Sequence, residues 1–187
     1  MHLSTGHPGD SGHSRRRRSR SGAVAVSLAA AVGLAGPLPT ATAGEPDPSR
    51  PRGPVVLRVI DGDTVEVRGD GRVIPDGTVA RVRLLEVDAP ERGDCFSREA
   101  TARTAELLPV GSRLRTERDV ELKDRFDRYL LYVWNDRGVF VNESLVRSGH
   151  ATSVLFEPND KHWKTMTEAQ AAARQAGAGL WSACPAP

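Results

Sequence analysis

The stretch VIDGDTVEV, residues 59–67, decides the fold of this chain and raises the first question about its function. The valines and the isoleucine favour two β-strands, which Asp61-Gly62 interrupts. An Asp-Gly pair between apolar runs is a strong signal for a hairpin turn, in which Gly62 permits the sharp bend. The carboxylate of Asp63, held at a strand end, could instead meet a cation. The other charged residues have to decide between these interpretations.

The first 43 residues have the composition of a secretory signal peptide. Five arginines between positions 15 and 20 precede an apolar run over 23–36 and Ala-Thr-Ala at 41–43. A basic segment, a short apolar segment and an A-x-A site are typical of such peptides. A membrane anchor would need roughly 20 apolar residues, and a buried helix is the other alternative. We expect cleavage after Ala43 by the Sec or the twin-arginine route, giving a secreted, extracellular protein without stable membrane association.

Four prolines make residues 44–54 a linker, so the folded domain is expected over 55–184. Residues 1–43 hold 5 of the 26 Lys and Arg and 1 of the 24 Asp and Glu, which leaves the mature chain a net charge near −2. This charge gives no general reason to expect nucleic-acid binding. Any anion site must therefore be local.

Short strand patterns alternate with helical ones in the domain. Besides two strands within 55–67, strands are predicted over 78–87, 112–121, 129–135 and 139–141. Helices are predicted over 97–108, over 142–148 with Asn142 as cap, and over 161–176. This order indicates an α+β fold, and a five-stranded OB-type β-barrel with three α-helices fits the number and lengths of the strands.

The two cysteines, Cys95 and Cys184, both lie in the predicted domain. An even number in an exported protein is typical of a disulfide, which would tie the C-terminus to an early loop. Two unpaired thiols are the alternative. A zinc site is not expected, since the domain's histidines, His150 and His162, do not have a suitable spacing.

Charged residues concentrate in four clusters, at 61–63, 81–91, 123–128 and 156–160. In the second cluster Arg83 lies on the strand face opposite its apolar neighbours, and Asp88 and Glu91 follow within one loop. The arginine fork can hold a phosphate through two hydrogen bonds. Two carboxylates, a loop carbonyl and water form the oxygen cage that Ca²⁺ takes. Solvated surface ion pairs are the alternative for such a cluster.

Six segments, in order, resemble the staphylococcal-type thermonuclease (SNase domain) family. They are VIDGDTVEV (59–67), RLLEVDAPE (83–91), KDRFDRYLLYVW (123–134), VNESLVRSGHA (141–151), EPND (157–160) and GLW (179–181). The resemblance implies a five-stranded OB barrel with three helices and a Ca²⁺-dependent phosphodiesterase. It implies that Asp63 and Asp88 are the calcium carboxylates, and that Ala89 adds its backbone carbonyl.

The resemblance also implies the catalytic groups. Arg83 and Arg128 match the two arginines that bind the attacked phosphate, and Glu91 matches the glutamate that orients or deprotonates the attacking water. These roles agree with the chemistry, because cleavage by water needs charge neutralisation at the phosphoryl oxygens and an aligned nucleophile.

The chain departs from the family where substrate is bound. A Lys-Tyr pair followed by glycine is replaced by Arg125, Phe126 and Asp127. Arg125 can still meet a terminal phosphate, Phe126 can stack on a base without donating a hydrogen bond, and Asp127 adds a negative charge beside Arg128. Phe156 offers a second stacking ring. The alternative to a substrate-binding role for both phenylalanines is a place in the hydrophobic core.

The sequence thus predicts a secreted, monomeric Ca²⁺-dependent nuclease that hydrolyses phosphodiester bonds of DNA and RNA with water, and the resemblance implies that it leaves 3′-phosphate ends. The main alternative is a non-catalytic OB-fold module that binds nucleic acid or protein. A calcium-binding surface module is a weaker alternative, because it would not explain two arginines and Glu91.

Overall fold

A curled five-stranded sheet forms the centre of the structure, a computed structural model that describes residues 53–185. The predicted signal peptide and most of the linker lie outside this range. The strands are β1 (Val55–Val59), β2 (Thr64–Arg68), β3 (Val79–Leu84), β4 (Val87–Asp88), β5 (Arg115–Glu117), β6 (Tyr129–Trp134) and β7 (Thr152–Ser153). The helices are α1 (Ser97–Leu107), α2 (Val141–Arg147), α3 (Trp163–Ala176) and α4 (Leu180–Ala183). No helix within 53–185 has both the length and the apolar character needed to cross a bilayer.

The strand order in the sheet is β1-β2-β3-β6-β5. The first three strands form an antiparallel meander, β6 joins β3 in parallel, and β5 pairs with β6 antiparallel. The sheet curls because the start of β1 also bonds to the segment before β5, with the Val56 N–H 3.0 Å from the Ser112 carbonyl. The predicted α+β fold of OB type is confirmed. The sequence does not predict the short α4 or the β4–β7 ribbon.

Gly62, in the interruption between β1 and β2, is required by close packing. A Cβ atom at this position would lie 2.5 Å from the Cβ of Ala89 and 3.0 Å from the Cβ of Ala100. Its φ lies outside the left-handed region, so the bend itself does not demand glycine. The glycine lets α1 and the loop after β4 approach the hairpin that carries Asp63.

The predicted strand over 78–87 is wrong at two residues, because Leu85 and Glu86 form a turn between β3 and β4. Glu86 has a φ of 58°, a left-handed conformation that ends the strand. The chain folds back around the guanidinium of Arg83, whose Nη1 donates to the carbonyls of Leu84, at 2.8 Å, and Val87. The turn therefore brings the strand that carries Arg83 and the strand that carries Asp88 together.

Helix α2 is attached to the sheet by Asn142, which the sequence places wrongly as the helix cap. The helix begins at Val141, so Asn142 is its second residue, and the Asn142 side chain is buried. Its Oδ1 accepts the Val133 N–H at 2.9 Å, and its Nδ2 donates to the Leu85 carbonyl at 2.9 Å. One amide thus fixes α2, β6 and the turn after β3 relative to one another.

Cys95, before α1, and Cys184, after α4, form a disulfide with their Cα atoms 5.8 Å apart. The bridge closes a loop with a sequence separation of 89 residues. It ties the C-terminal segment to the loop that follows Asp88, so the two segments lie side by side at one end of the barrel.

Candidate active site

The carboxylate of Asp63 is buried beside the start of β2. Its Oδ1 accepts a hydrogen bond from Thr64 Oγ1 at 3.0 Å and forms an ion pair with Arg83 Nε at 3.1 Å, and its Oδ2 accepts the Ala89 N–H at 2.9 Å. Burial raises the pKa of Asp63 to about 6, although Arg83 and the Ala89 N–H both act to lower it. A carboxylate this poorly solvated favours a nearby cation.

Arg83 is buried, although the strand alternation predicts it on the outer face. Its Nε contacts Asp63, its Nη2 donates to Asp88 Oδ1 at 3.2 Å, and its Nη1 donates to two carbonyls of the turn after β3. Within the described residues three of the five N–H donors of the guanidinium make hydrogen bonds, two from Nη1 and one from Nη2. The second N–H of Nη2 remains for an anion. The orientation of the guanidinium is fixed before any substrate arrives.

Three of the predicted site residues lie together on the loop after β4. Asp88 has a 57% exposed side chain, the N–H of Ala89 points at Asp63, and Glu91 is exposed. Asp88, Ala89 and Glu91 line one wall of a cavity of about 580 Å³, whose opposite wall is formed by α3 and the C-terminal segment. We call this space the C-terminal cavity. The structure thus places the predicted general base and the predicted metal carboxylate Asp88 on the same cavity wall.

The oxygen donors of Asp63 and Asp88 fit a hard cation. Oδ2 of Asp63 accepts one hydrogen bond and keeps a lone pair, and the Asp88 carboxylate contacts Arg83 through Oδ1 alone. No group of three or more His, Cys, Asp or Glu side chains among residues 53–185 is arranged to hold a metal. A cation here would complete its shell with the Ala89 carbonyl and water, a ligand set that Ca²⁺ accepts.

The loop that carries Arg128 is organised by Asp124. Its Oδ1 accepts the N–H groups of Phe126 at 2.9 Å and Arg128 at 3.0 Å, and its Oδ2 accepts Arg128 Nε at 2.7 Å. Burial opposes ionisation of Asp124, but these donors outweigh it and lower its pKa. The sequence assigned Asp124 no role, although an aspartate that bonds the backbone two residues onward is a known turn signal. The terminal nitrogens of Arg128 take no part in this contact.

Both predicted phosphate-binding arginines, Arg83 and Arg128, line a second cavity of about 360 Å³ together with Arg125, Phe126 and Phe156. We call it the arginine cavity. The ring of Phe126 is 64% exposed and lies 4.7 Å from the Arg125 guanidinium, so its place is not in the core. Phe156 is half-buried, and the Arg83 guanidinium lies 5.2 Å from its ring centroid. The exposed ring of Phe126 thus lies against Arg125 and Arg128, and Phe156 packs against Arg83 and against the buried cluster of Leu85, Leu130 and Tyr132.

Asp127, which stands where the family resemblance places a glycine, adopts a φ of 62°. Its carboxylate accepts a hydrogen bond from Lys123 Nζ at 2.7 Å and does not line the arginine cavity. The negative charge is thus partly compensated by a lysine and directed away from the predicted phosphate site.

The sequence of this chain is similar to those of known nucleases. The family described as staphylococcal nuclease homologue matches residues 81–183. The thermonuclease of Staphylococcus hyicus is 34% identical, and that of Staphylococcus intermedius 35%, each over 68% of this chain and 74% of the relative. A micrococcal nuclease of Shigella flexneri is 33% identical over 68% of this chain and 72% of its own.

Proposed function

This chain belongs to the family of staphylococcal nuclease homologues, and we propose that it is a secreted, Ca²⁺-dependent nuclease that cleaves DNA and RNA. The observation that carries the proposal is the contact of Arg83 with both Asp63 and Asp88 at the edge of a cavity shared with Arg128. The composition of residues 1–43 and the Cys95–Cys184 disulfide support secretion.

The two arginines hold the phosphate to be cleaved. Arg128 offers its terminal nitrogens, since Asp124 occupies only Nε, and Arg83 offers the remaining N–H on Nη2. Both guanidiniums are oriented by fixed carboxylates, so little reorganisation is needed as charge grows on the phosphoryl oxygens. Donors arranged in this way stabilise the transition state more than the ground state.

Asp63, Asp88 and the Ala89 carbonyl would hold the Ca²⁺, which supplies further positive charge to the phosphoryl oxygens when bound. The protein prepares this position by burying Asp63 and aiming the Ala89 N–H at its Oδ2. Asp88 stays exposed, so it can take up the cation from solvent. The Arg83 contact with both carboxylates keeps the cation site and the phosphate site adjacent.

Glu91 orients the attacking water and takes its proton. The Glu91 carboxylate is exposed on the cavity wall that Asp88 and Ala89 also form. The loop that carries it is held by the disulfide that follows Asp94. The water oxygen bonds to phosphorus, the bond from phosphorus to the 5′-oxygen breaks, and that oxygen takes a proton from solvent. The products are a 3′-phosphate and a free 5′-hydroxyl.

Cleavage of labelled single-stranded DNA and RNA by the purified protein, with Ca²⁺, with Mg²⁺ and with EGTA, tests the proposal. We expect cleavage with Ca²⁺ alone, and labelling of the products by a kinase only at their free 5′-hydroxyls. Binding without cleavage under every condition would refute the nuclease and favour a non-catalytic nucleic-acid-binding module. Equal rates in Ca²⁺ and EGTA would refute the metal requirement.

A further inference from the structure

The C-terminal cavity has a second wall that the proposed chemistry does not use. Opposite the loop of Asp88 and Glu91 lie residues of α3 and of the C-terminal segment: Gln170, Arg174, Leu180, Trp181 and Pro185. The cavity volume, about 580 Å³, falls in the range of about 300–1,000 Å³ that is usual for small-molecule sites. The space is therefore large enough for a nucleotide unit, and it opens directly beside the predicted general base.

Arg174 and Trp181 form a stacked pair on this wall. The guanidinium carbon of Arg174 lies 4.3 Å from the centroid of the Trp181 ring. Arg174 is exposed, and no carboxylate among the described residues forms an ion pair with it. A guanidinium stacked on an aromatic ring keeps its in-plane N–H donors available for two-pronged contact with a phosphate. The tryptophan thus orients a cation whose donors remain free.

The wall is attached to the rest of the domain at several points. Cys184 is bonded to Cys95 at the far end of the opposite loop. The Leu180 N–H donates to the Gly149 carbonyl at 2.8 Å, and Oε1 of Gln170 accepts the Ser153 N–H at 2.8 Å. Both walls are therefore held at a fixed separation, as a binding site requires.

A phosphodiester inside a strand has a nucleoside on each side, and each needs a path out of the site. Arg83 lines the arginine cavity, and its partner Asp88 lines the C-terminal cavity, so the two spaces flank the reacting phosphate. We propose that the nucleic acid on one side of this phosphate lies in the arginine cavity and that the C-terminal cavity binds the nucleotide on the other side. Arg174 contacts the phosphate of that nucleotide. This inference rests on the proposed nuclease function.

Binding of a fluorescein-labelled octathymidylate, measured by anisotropy in EGTA, tests the assignment. We expect Arg174→Ala to raise Kd about tenfold, the size of one charge-assisted hydrogen bond. Arg174→Lys should recover part of the affinity. The matched control is Arg147→Ala, which removes an exposed arginine at the end of α2 that pairs with Glu143. This change should leave Kd unchanged. Equal Kd for wild type and Arg174→Ala, or no binding by the wild type, would overturn the assignment.

A set of octathymidylates with one uncharged methylphosphonate at successive positions locates the contact. If Arg174 meets one phosphate, the Arg174→Ala effect disappears at that position and persists at the others. An effect that is equal at all positions would show a general charge effect and would contradict the site. Cleavage of the unmodified strand by wild type in Ca²⁺ is scored separately. Loss of the Arg174 effect with cleavage intact refutes the second site alone, whereas absent cleavage refutes the proposed nuclease.

Discussion

Arg83 Nε lies 3.1 Å from Oδ1 of Asp63 in an ion pair, and both side chains are buried. The carboxylate predicted to bind the cation and the guanidinium predicted to bind the phosphate therefore hold each other in place. Removing one partner leaves the other as an uncompensated buried charge, which typically costs about 3–5 kcal/mol of stability. Substitutions at this pair must be judged on rate and on stability together.

Asp124→Asn tests the positioning of Arg128. The variant keeps an oxygen for the backbone N–H groups of the loop but weakens the 2.7 Å bond to Arg128 Nε. We expect kcat/KM to fall about tenfold, the value of a charge-assisted hydrogen bond. For short nucleic-acid strands most of this fall should come from a higher KM. The matched control is Glu143→Gln, which weakens an i,i+4 pair with Arg147 on α2. Equal losses in the two variants would contradict the positioning role.

Gly62→Ala tests the packing behind Asp63. The added Cβ would meet Ala89 Cβ at 2.5 Å and Ala100 Cβ at 3.0 Å, so we expect a loss of about 1–3 kcal/mol in the free energy of unfolding. The double variant Gly62→Ala/Ala89→Gly removes the shorter contact and should regain part of this loss. Urea unfolding gives both values. An unchanged midpoint for the single variant would show that the close approach does not constrain the site.

The repeating patterns and the ordered motifs in the sequence predict most of the fold. The strand pair around Gly62 is confirmed, and Met166, Ala169 and Ala173 form the buried face of α3 as their helical spacing indicates. Such features are local, because alternation and periodicity are determined by residues adjacent in sequence.

The features that the sequence misses depend on contacts between distant segments. The run Leu84 to Val87 continues a strand pattern, yet it turns at Glu86 because the carbonyls around the turn accept hydrogen bonds from Arg83 and from Asn142 of α2. The pairing of Arg174 with Trp181 likewise depends on how α4 returns to α3. No periodicity within one segment contains that information.

Cys95→Ser/Cys184→Ser tests the link between the two walls of the C-terminal cavity. For a closed loop with a sequence separation of 89, chain entropy predicts a loss of about 4–5 kcal/mol in the free energy of unfolding as an upper value. We also expect weaker octathymidylate binding, because the C-terminal wall loses its attachment. Thermal unfolding and anisotropy measure the two effects. A variant as stable as the wild type would contradict a structural role for the bridge.

His150 should contribute a loss of stability in mildly acidic solution. Burial lowers the pKa of this imidazole, and the nearby charge of Arg103 adds to the effect. Its Nδ1 lies 2.9 Å from Ser148 Oγ, and its ring lies 5.2 Å from that of Phe96. Below the ordinary value of 6.5 the unfolded chain binds a proton that the folded chain does not, so stability present above 6.5 is lost as pH falls toward the lowered pKa.

His150→Gln should therefore remove this contribution, so that between about pH 7.5 and pH 5 the variant loses less unfolding free energy on acidification than the wild type. Urea unfolding of both proteins at several pH values gives the two slopes. The same slope in the variant and the wild type would assign the acid sensitivity to other groups.

Single-turnover cleavage of single-stranded DNA in Ca²⁺ tests most directly the proposed role of Arg83 in stabilising phosphodiester cleavage at this site. Wild type, Arg83→Ala and the control Arg147→Ala are compared, with circular dichroism to establish that each is folded. The expected result is equal rates for wild type and Arg147→Ala, and a loss of at least about a hundredfold in Arg83→Ala. Cleavage by folded Arg83→Ala at the wild-type rate would contradict this role.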